Sequence, residues 1–247
     1  MLKFLSTVKI VINFEKQIPA TLSATAFRQF DPIDCTNVLS LLDWRPVAGC
    51  FTISVANIGP SMDKTALGRF TALGVNEVIQ LSTPHRLDSL TKAKLLRDLV
   101  LSQSFSLVML GAQSSDVGSA QVGSALAGLL NWSCITNVTS IRYISKSVVT
   151  LHCSVGNIIT TVCVSLPCVL SCDLCRTERR LSPKPQLLPS QLKPVNIIPV
   201  NKTNLALSSQ IEVIEETSVP NIRLGLTFST LDSTLEAFSR WLGKRPR

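Results

Sequence analysis

The stretch that decides the reading is Leu107-Val-Met-Leu-Gly-Ala-Gln-Ser-Ser-Asp-Val-Gly-Ser-Ala-Gln-Val-Gly-Ser-Ala-Leu-Ala-Gly-Leu-Leu-Asn-Trp132. Leu107 to Leu110 is a short apolar run of the kind that makes a buried strand, and it ends at Gly111. A loop of small and hydroxyl residues follows, and a helix is predicted to start near Gly118. Val122, Ala125, Leu126, Leu129 and Leu130 then recur at three-four spacing. A strand that runs through such a loop into a helix aims free N–H groups, and the positive end of the helix dipole, at whatever lies above the strand. A phosphate there gains about 0.3–1 kcal/mol from the dipole, more if partly buried. Gly111, Gly118 and Gly123 would let a ligand approach bare main chain. Two readings stay open on these residues alone: a nucleotide loop, or a tightly packed helix whose glycines admit a neighbouring strand.

Upstream, the same alternation repeats. Val8 to Ile12, Phe51 to Ala56 and Glu77 to Leu81 are brief strand-like runs. Between them lie helical patterns. Val38, Leu39, Leu41 and Leu42 follow Asp34, which is placed to cap a helix. Ala66, Leu67, Phe70 and Leu73 form one face of a second helix closed by Gly74. Ala93, Leu96, Leu99 and Val100 form one face of a third, entered through Pro84. This order predicts an α/β fold: an open, mostly parallel Rossmann-like sheet with helices on both faces. Ligands on such sheets bind beyond the carboxyl ends of the strands.

Downstream the pattern changes. Val148 to Cys153, Ile158 to Val164 and Val169 to Asp173 read as consecutive strands, the first two paired as an antiparallel hairpin across Ser154 to Asn157. Pro183, Pro185, Pro189, Pro194 and Pro199 make 176–200 an extended arm that is neither helix nor central strand. Leu231, Leu235, Phe238 and Leu242 share a face of a terminal helix, with Ser233 and Glu236 as its capping box. The expected organisation is a nucleotide-binding α/β domain at 1–175, a partner-recognition arm at 176–200, and a C-terminal extension at 201–247 whose helix docks on another chain.

Composition narrows the function classes. The chain has 247 residues, is 45% hydrophobic and only 5% aromatic, and carries a net charge of +8. The aliphatic content suits strands buried on both faces. The basic residues are dispersed and have no interleaved aromatics, which disfavours nucleic acid and leaves an acidic partner or a basic compartment. Eight cysteines sit largely in apolar runs; Cys163, Cys168 and Cys172 read as free, small hydrophobes in a reducing interior. Cys172-x-x-Cys175 has no second pair and only His85 and His152 elsewhere, so a metal is not expected. The uncharged run Val117 to Ile141 is too polar to span a membrane and reads as a buried helix followed by a strand. There is no nucleophile motif, paired-carboxylate signature or metal spacing, so no catalytic constellation is read and the chain is not expected to be an enzyme.

The 107–132 stretch resembles the signature of electron transfer flavoprotein beta subunits, without gaps, at Gly111, Gln113, Asp116, Gln121, Gly123, Ala127, Gly128, Leu130 and Trp132. The flanks are similar in order. Val8-Lys-Ile-Val-Ile-Asn-Phe14 resembles the opening strand and the flavin-facing aromatic. Asp31-Pro-Ile-Asp34 sits where the family has an Asn-Pro turn, and Gly59-Pro60 resembles the second phosphate-side loop. Leu166-Pro167 with Asp173-Leu174 resembles a late strand pair.

The resemblance implies a heterodimer with an alpha subunit that holds most of FAD, while beta binds a structural AMP and helps to cover the flavin. It implies electron transfer from acyl-CoA and related dehydrogenases to a membrane quinone oxidoreductase, in the mitochondrial matrix. The cofactor-side positions carried over are Thr7, Phe14, Asp31, Asp34, Ile58, Gly111, Gln113, Asp116, Gly118, Gln121, Val122 and Gly123. Leu188, in Leu187-Leu-Pro-Ser-Gln-Leu192, is the partner-anchoring leucine. Two departures stand out. Val117, Gly118, Ala120 and Val122 replace most of the family's polar nucleotide lining, leaving Asp116 and Gln121, and Asp31 replaces an Asn. The basic cluster after the anchor is reduced to Lys193. These departures motivate an alternative, a non-redox structural paralogue with a degenerate nucleotide site; a stand-alone adenine-nucleotide domain would leave the arm unexplained.

Overall fold

A computed structural model describes residues 2–12, 28–48, 51–60, 64–84, 87–115, 118–174, 195–200 and 214. The chain divides into two compact units, 1–211 and 212–247, and all described residues but Ile214 belong to the first.

The first unit is built on a nine-stranded sheet. In chain order its strands are β1 (Leu2–Thr7), β4 (Phe51–Gly59), β5 (Glu77–Ser82), β6 (Leu107–Gly111), β7 (Ser133–Ile144), β8 (Val148–Val155), β9 (Ile158–Ser165), β10 (Cys168–Cys172) and β11 (Asn196–Pro199). β2 (Ile10–Ile12) and β3 (Arg28–Phe30) form a separate antiparallel pair. The helices are α1 (Pro32–Ala48), α2 (Lys64–Ala72), α3 (Ser89–Gln103) and α4 (Val122–Leu130). Across the sheet the order is β11-β5-β4-β1-β6-β10-β7-β8-β9. Every neighbouring pair from β11 to β7 is parallel, and only the β7–β8 and β8–β9 pairs are antiparallel. The expected open, mostly parallel sheet with a hairpin extension is the one found.

Both faces of the parallel part are covered, so its strands are mostly apolar, with a few polar residues such as Ser54, Asn57 and Gln80 buried among them. Successive side chains alternate between two cores. Phe4, Val55, Val78, Met109 and Leu170 join Val38, Leu41, Leu67 and Phe70 of α1 and α2 on one face. Leu5, Ala56, Ile79, Val108 and Val169 join Leu96 and Leu99 of α3 and Leu126 of α4 on the other. From β1 the chain winds outward through β4 and β5, then returns to lay β6 on the opposite flank of β1. The winding therefore reverses between β1 and β6, the switch point at whose carboxyl ends sheets of this kind form their ligand crevice.

Several boundaries differ from those expected. The opening strand is Leu2–Thr7, not Val8–Ile12; Ser6 and Thr7 are polar and hide it from a hydrophobicity reading, while Ile10–Ile12 belongs to the small antiparallel pair. Asp34 does not cap α1 but lies within its first turn; Asp31 caps, its Oδ1 accepting from Ile33 N at 3.0 Å. α4 starts at Val122 rather than near Gly118, because Gly118 (φ 64°) and Ala120 (φ 53°) are left-handed and cannot be helical. β10 does not continue the hairpin but crosses back to lie between β6 and β7, parallel to both. Cys168 and Cys172 are buried, as expected, and burial pushes the Cys168 thiol up to about 12; Cys163 instead faces solvent on edge strand β9. Residues 196–199, expected in the arm, add an edge strand beside β5. The rest of the arm to Pro194, Cys175, His85 and the terminal helix lie outside the described residues. No described helix is long and apolar enough to cross a membrane.

Candidate functional site

The reversal point between β1 and β6 is where the sequence-predicted residues converge. Thr7 ends β1, in register with Ala56 of β4, and Ile58 lies two residues further along β4; both are half-buried. Gly111 ends β6. Opposite them stands the first turn of α1 with Asp31 and Asp34, the former 1% and the latter 6% exposed. Gly118 and Gln121 are exposed on the loop before α4, and Val122 and Gly123 form that helix's first turn. Phe14, Asp116 and Leu188 lie outside the described residues.

Two carboxylates stitch this crevice together. Asp34 accepts from Lys9 N through Oδ2 at 2.8 Å and from Gly111 N through Oδ1 at 3.0 Å, bridging the ends of the two strands at the reversal point. Asp31 reaches the next segment of the loop: its Oδ2 accepts from Ser115 N at 2.8 Å and Ser115 Oγ at 3.1 Å. The Asp31 N–H donates to Lys9 O at 2.8 Å, and Lys9 Nζ donates to Ser114 Oγ at 3.0 Å. Burial raises the Asp34 carboxyl to about 7; the neighbouring Asp31 charge pushes the same way, while the Lys9 and Gly111 N–H groups and the Lys9 ammonium oppose it. Lys9, Ser114 and Ser115 do not stand out in the sequence. Lys9 signals itself only as a charge directly after the opening strand, and the serines as hydroxyls in a loop read for its glycines.

The glycines divide by role. A Cβ on Gly111 would come to 2.5 Å from Asp34 Oδ1, so this position is kept bare for the protein's own carboxylate. A Cβ on Gly123 would meet Leu110 Cδ1 and Ser171 Cβ at 3.7 Å, an ordinary contact, and one on Gly128 would meet nothing within 4 Å. Neither helix glycine is demanded by a close neighbouring strand.

These residues do not fit the phosphate of an AMP. Gly111 and Ser115 N–H donate to Asp34 and Asp31, Ala112 N–H to Cys172 O, and Gly118 N–H to Ser114 O. At the start of α4, Gln121 makes no side-chain cap bond and Val122 is apolar. That helix start alone is worth about 0.3–1 kcal/mol to an anion. The Asp31 carboxylate, 1% exposed and bonded to the same loop at Ser115, works against that gain.

Beyond the loop a second, polar cleft of about 290 Å³ lies past the ends of β6 and β10, lined in part by Gln113, Asn137, Thr139, Ser154 and Asp173. Among the described residues predicted for the site, Gln113 alone lines it. Its far wall exists because β7 changes partner midway. Asn137 is left-handed (φ 53°) and the register shifts at Val138, so β7 leaves β10 and pairs onward with β8.

Comparison with known proteins adds the lineage. The electron transfer flavoprotein domain matches residues 45–202, more than half of the chain. The mitochondrial electron transfer flavoprotein subunit beta of Oryza sativa subsp. indica is 26% identical over 245 residues, covering 95% of this chain and 96% of the relative. The mitochondrial subunit beta of Arabidopsis thaliana is 28% identical across 74% of each chain, and subunit beta of Sus scrofa 24% identical across 78% of this chain and 76% of its own. The domain match over more than half of the chain and the near-full-length collinearity agree: the chain belongs to the electron transfer flavoprotein family, as a divergent member similar to its beta subunits.

Proposed function

We propose that this chain is the beta half of a two-chain electron shuttle, pairing with an alpha subunit that holds FAD. It receives electrons from acyl-CoA and related dehydrogenases and hands them to a membrane quinone oxidoreductase, in the mitochondrial matrix. The observation that carries this reading is the collinear match over 95% of the chain to a mitochondrial beta subunit, on a sheet with the expected topology. FAD would supply the redox chemistry; this chain would supply position and cover, with Phe14 beside the flavin. Leu188 is the anchor for the dehydrogenases, since filling a partner's pocket with one leucine contributes about 1.5–3 kcal/mol. The +8 charge suits acidic partners.

The test is co-expression with the alpha subunit of the same organism, affinity capture on this chain, and an absorbance spectrum of what elutes. A stable yellow complex is expected. A chain that never pairs overturns the assignment. A complex that forms but stays colourless supports the non-redox structural paralogue instead, a reading motivated by the loss of polar residues between Val117 and Val122. Within an active complex, Leu188→Ala is expected to raise the dehydrogenase KM by roughly tenfold to a hundredfold with little change in kcat.

A further inference from the structure

We infer that the crevice between the ends of β1 and β6 takes no nucleotide phosphate, because the Asp31 and Asp34 carboxyls already occupy the main-chain donors of Lys9, Gly111 and Ser115 there. Three observations converge on it. The N–H groups of Lys9, Gly111 and Ser115, which come from the ends of β1 and β6 and from the loop beyond, all donate to these two carboxylates. Ser115 Oγ, a side-chain donor a phosphate could use, is held by Asp31 as well. Both aspartates are almost wholly buried and enter from α1, so they are part of the packed structure rather than surface charges that swing aside.

The geometry also gives the arrangement a purpose. A phosphate at such a loop ties strand ends to a helix start; here Asp34 ties β1 to β6, and Asp31 ties α1 to the loop, with no ligand needed. Gly111 is the complement of this device. Its missing Cβ leaves room for Asp34 Oδ1.

The test uses the full-length chain, purified alone and with its flavin subunit. Denaturation releases bound nucleotides, and chromatography separates AMP from FAD, so the AMP count is independent of whether the complex is yellow. Fewer than about one AMP per ten chains is expected, and AMP added to about 1 mM should leave the melting temperature unchanged. Asp31→Asn removes the carboxylate that holds Ser115 while keeping the side chain's shape. It should bind AMP at least about tenfold more tightly than the wild-type chain, the change that removing about 1.4 kcal/mol of repulsion produces. Near-stoichiometric AMP in the wild-type protein overturns the inference. So does an Asp31→Asn chain that folds and binds AMP no better than wild type; should the variant fail to fold, the wild-type nucleotide count decides alone.

Discussion

Asp34 is the residue on which the site's stability turns. Its carboxyl titrates near 7 in the folded chain against 3.8 for a free Asp, with burial the largest cause. Between those values the folded state holds a proton that the unfolded state has lost. Stability therefore falls as pH rises through that window, with a slope of up to about 1.4 kcal/mol per pH unit from this group. Urea unfolding at pH 5 and pH 8 should show the chain more stable at pH 5, and Asp34→Asn should remove much of that difference. The neighbouring charges are Asp31 and Lys9, so the wild-type slope should survive mutation of exposed carboxylates elsewhere. Gly111 answers to the same side chain. Gly111→Ala places a methyl 2.5 Å from Asp34 Oδ1 and forces it off the Gly111 N–H, a loss expected to cost about 1–3 kcal/mol. Gly128→Ala, in a helix with nothing near the new methyl, should stabilise by up to about 1 kcal/mol. Opposite signs from the two thermal melts are the check. In the sequence both glycines look alike, members of one glycine-rich signature. Only the chain brought back from residue 34 tells them apart, a pairing 77 positions apart that no local pattern reveals.

Elements are legible where local chemistry agrees with tertiary demand. The four helices follow from three-four spacing, and α3 shows why: Asp88 accepts from Thr91 N at 2.6 Å, while Thr91, Ala93, Leu95, Leu96, Leu99 and Val100 are buried. Asp88→Ala should cost about 1 kcal/mol in a denaturant melt, the usual loss for a side-chain N-cap. The hairpin is legible too, since Gly156 (φ 60°) permits its tight turn between Val155 and Ile158. The pattern misleads where polar residues serve the site. β1 ends in Ser6 and Thr7, so its strand signal fades at the edge of the crevice, while Ile10–Ile12 offers a better apolar run one segment too late. The α4 start shifts for the same reason, as left-handed Gly118 and Ala120 shape the loop before any helix begins. The place of β10 is illegible on principle: strand order depends on pairing between distant segments, and Cys168–Cys172 joins β6 from across a hairpin.

At the scale of the molecule, the sheet does not close where the composition shifts. The Pro-rich run suggests a domain ending at 175, yet Asn196–Pro199 returns as β11 along β5, and the compact unit reaches 211. Pro199 tolerates this because β11 is an edge strand, where a missing N–H costs no ladder bond on the open side. The strand also contributes burial, with Ile198 and Val200 packed on one core and Val195 on the other. A chain cut at 175 would leave β5 as a bare edge, its main-chain groups opposite Asn196 to Pro199 unpaired and part of both cores uncovered. We expect the 1–211 fragment to be monomeric, and the 1–175 fragment to melt at least several degrees lower or to aggregate, because losing a few half-buried aliphatic contacts costs about 2–4 kcal/mol and a protein of this size loses roughly 2–4 °C per kcal/mol. Equal melting temperatures and equal solubility by size-exclusion chromatography would show that the arm's return is dispensable and that the composition shift does mark the end of the folding unit.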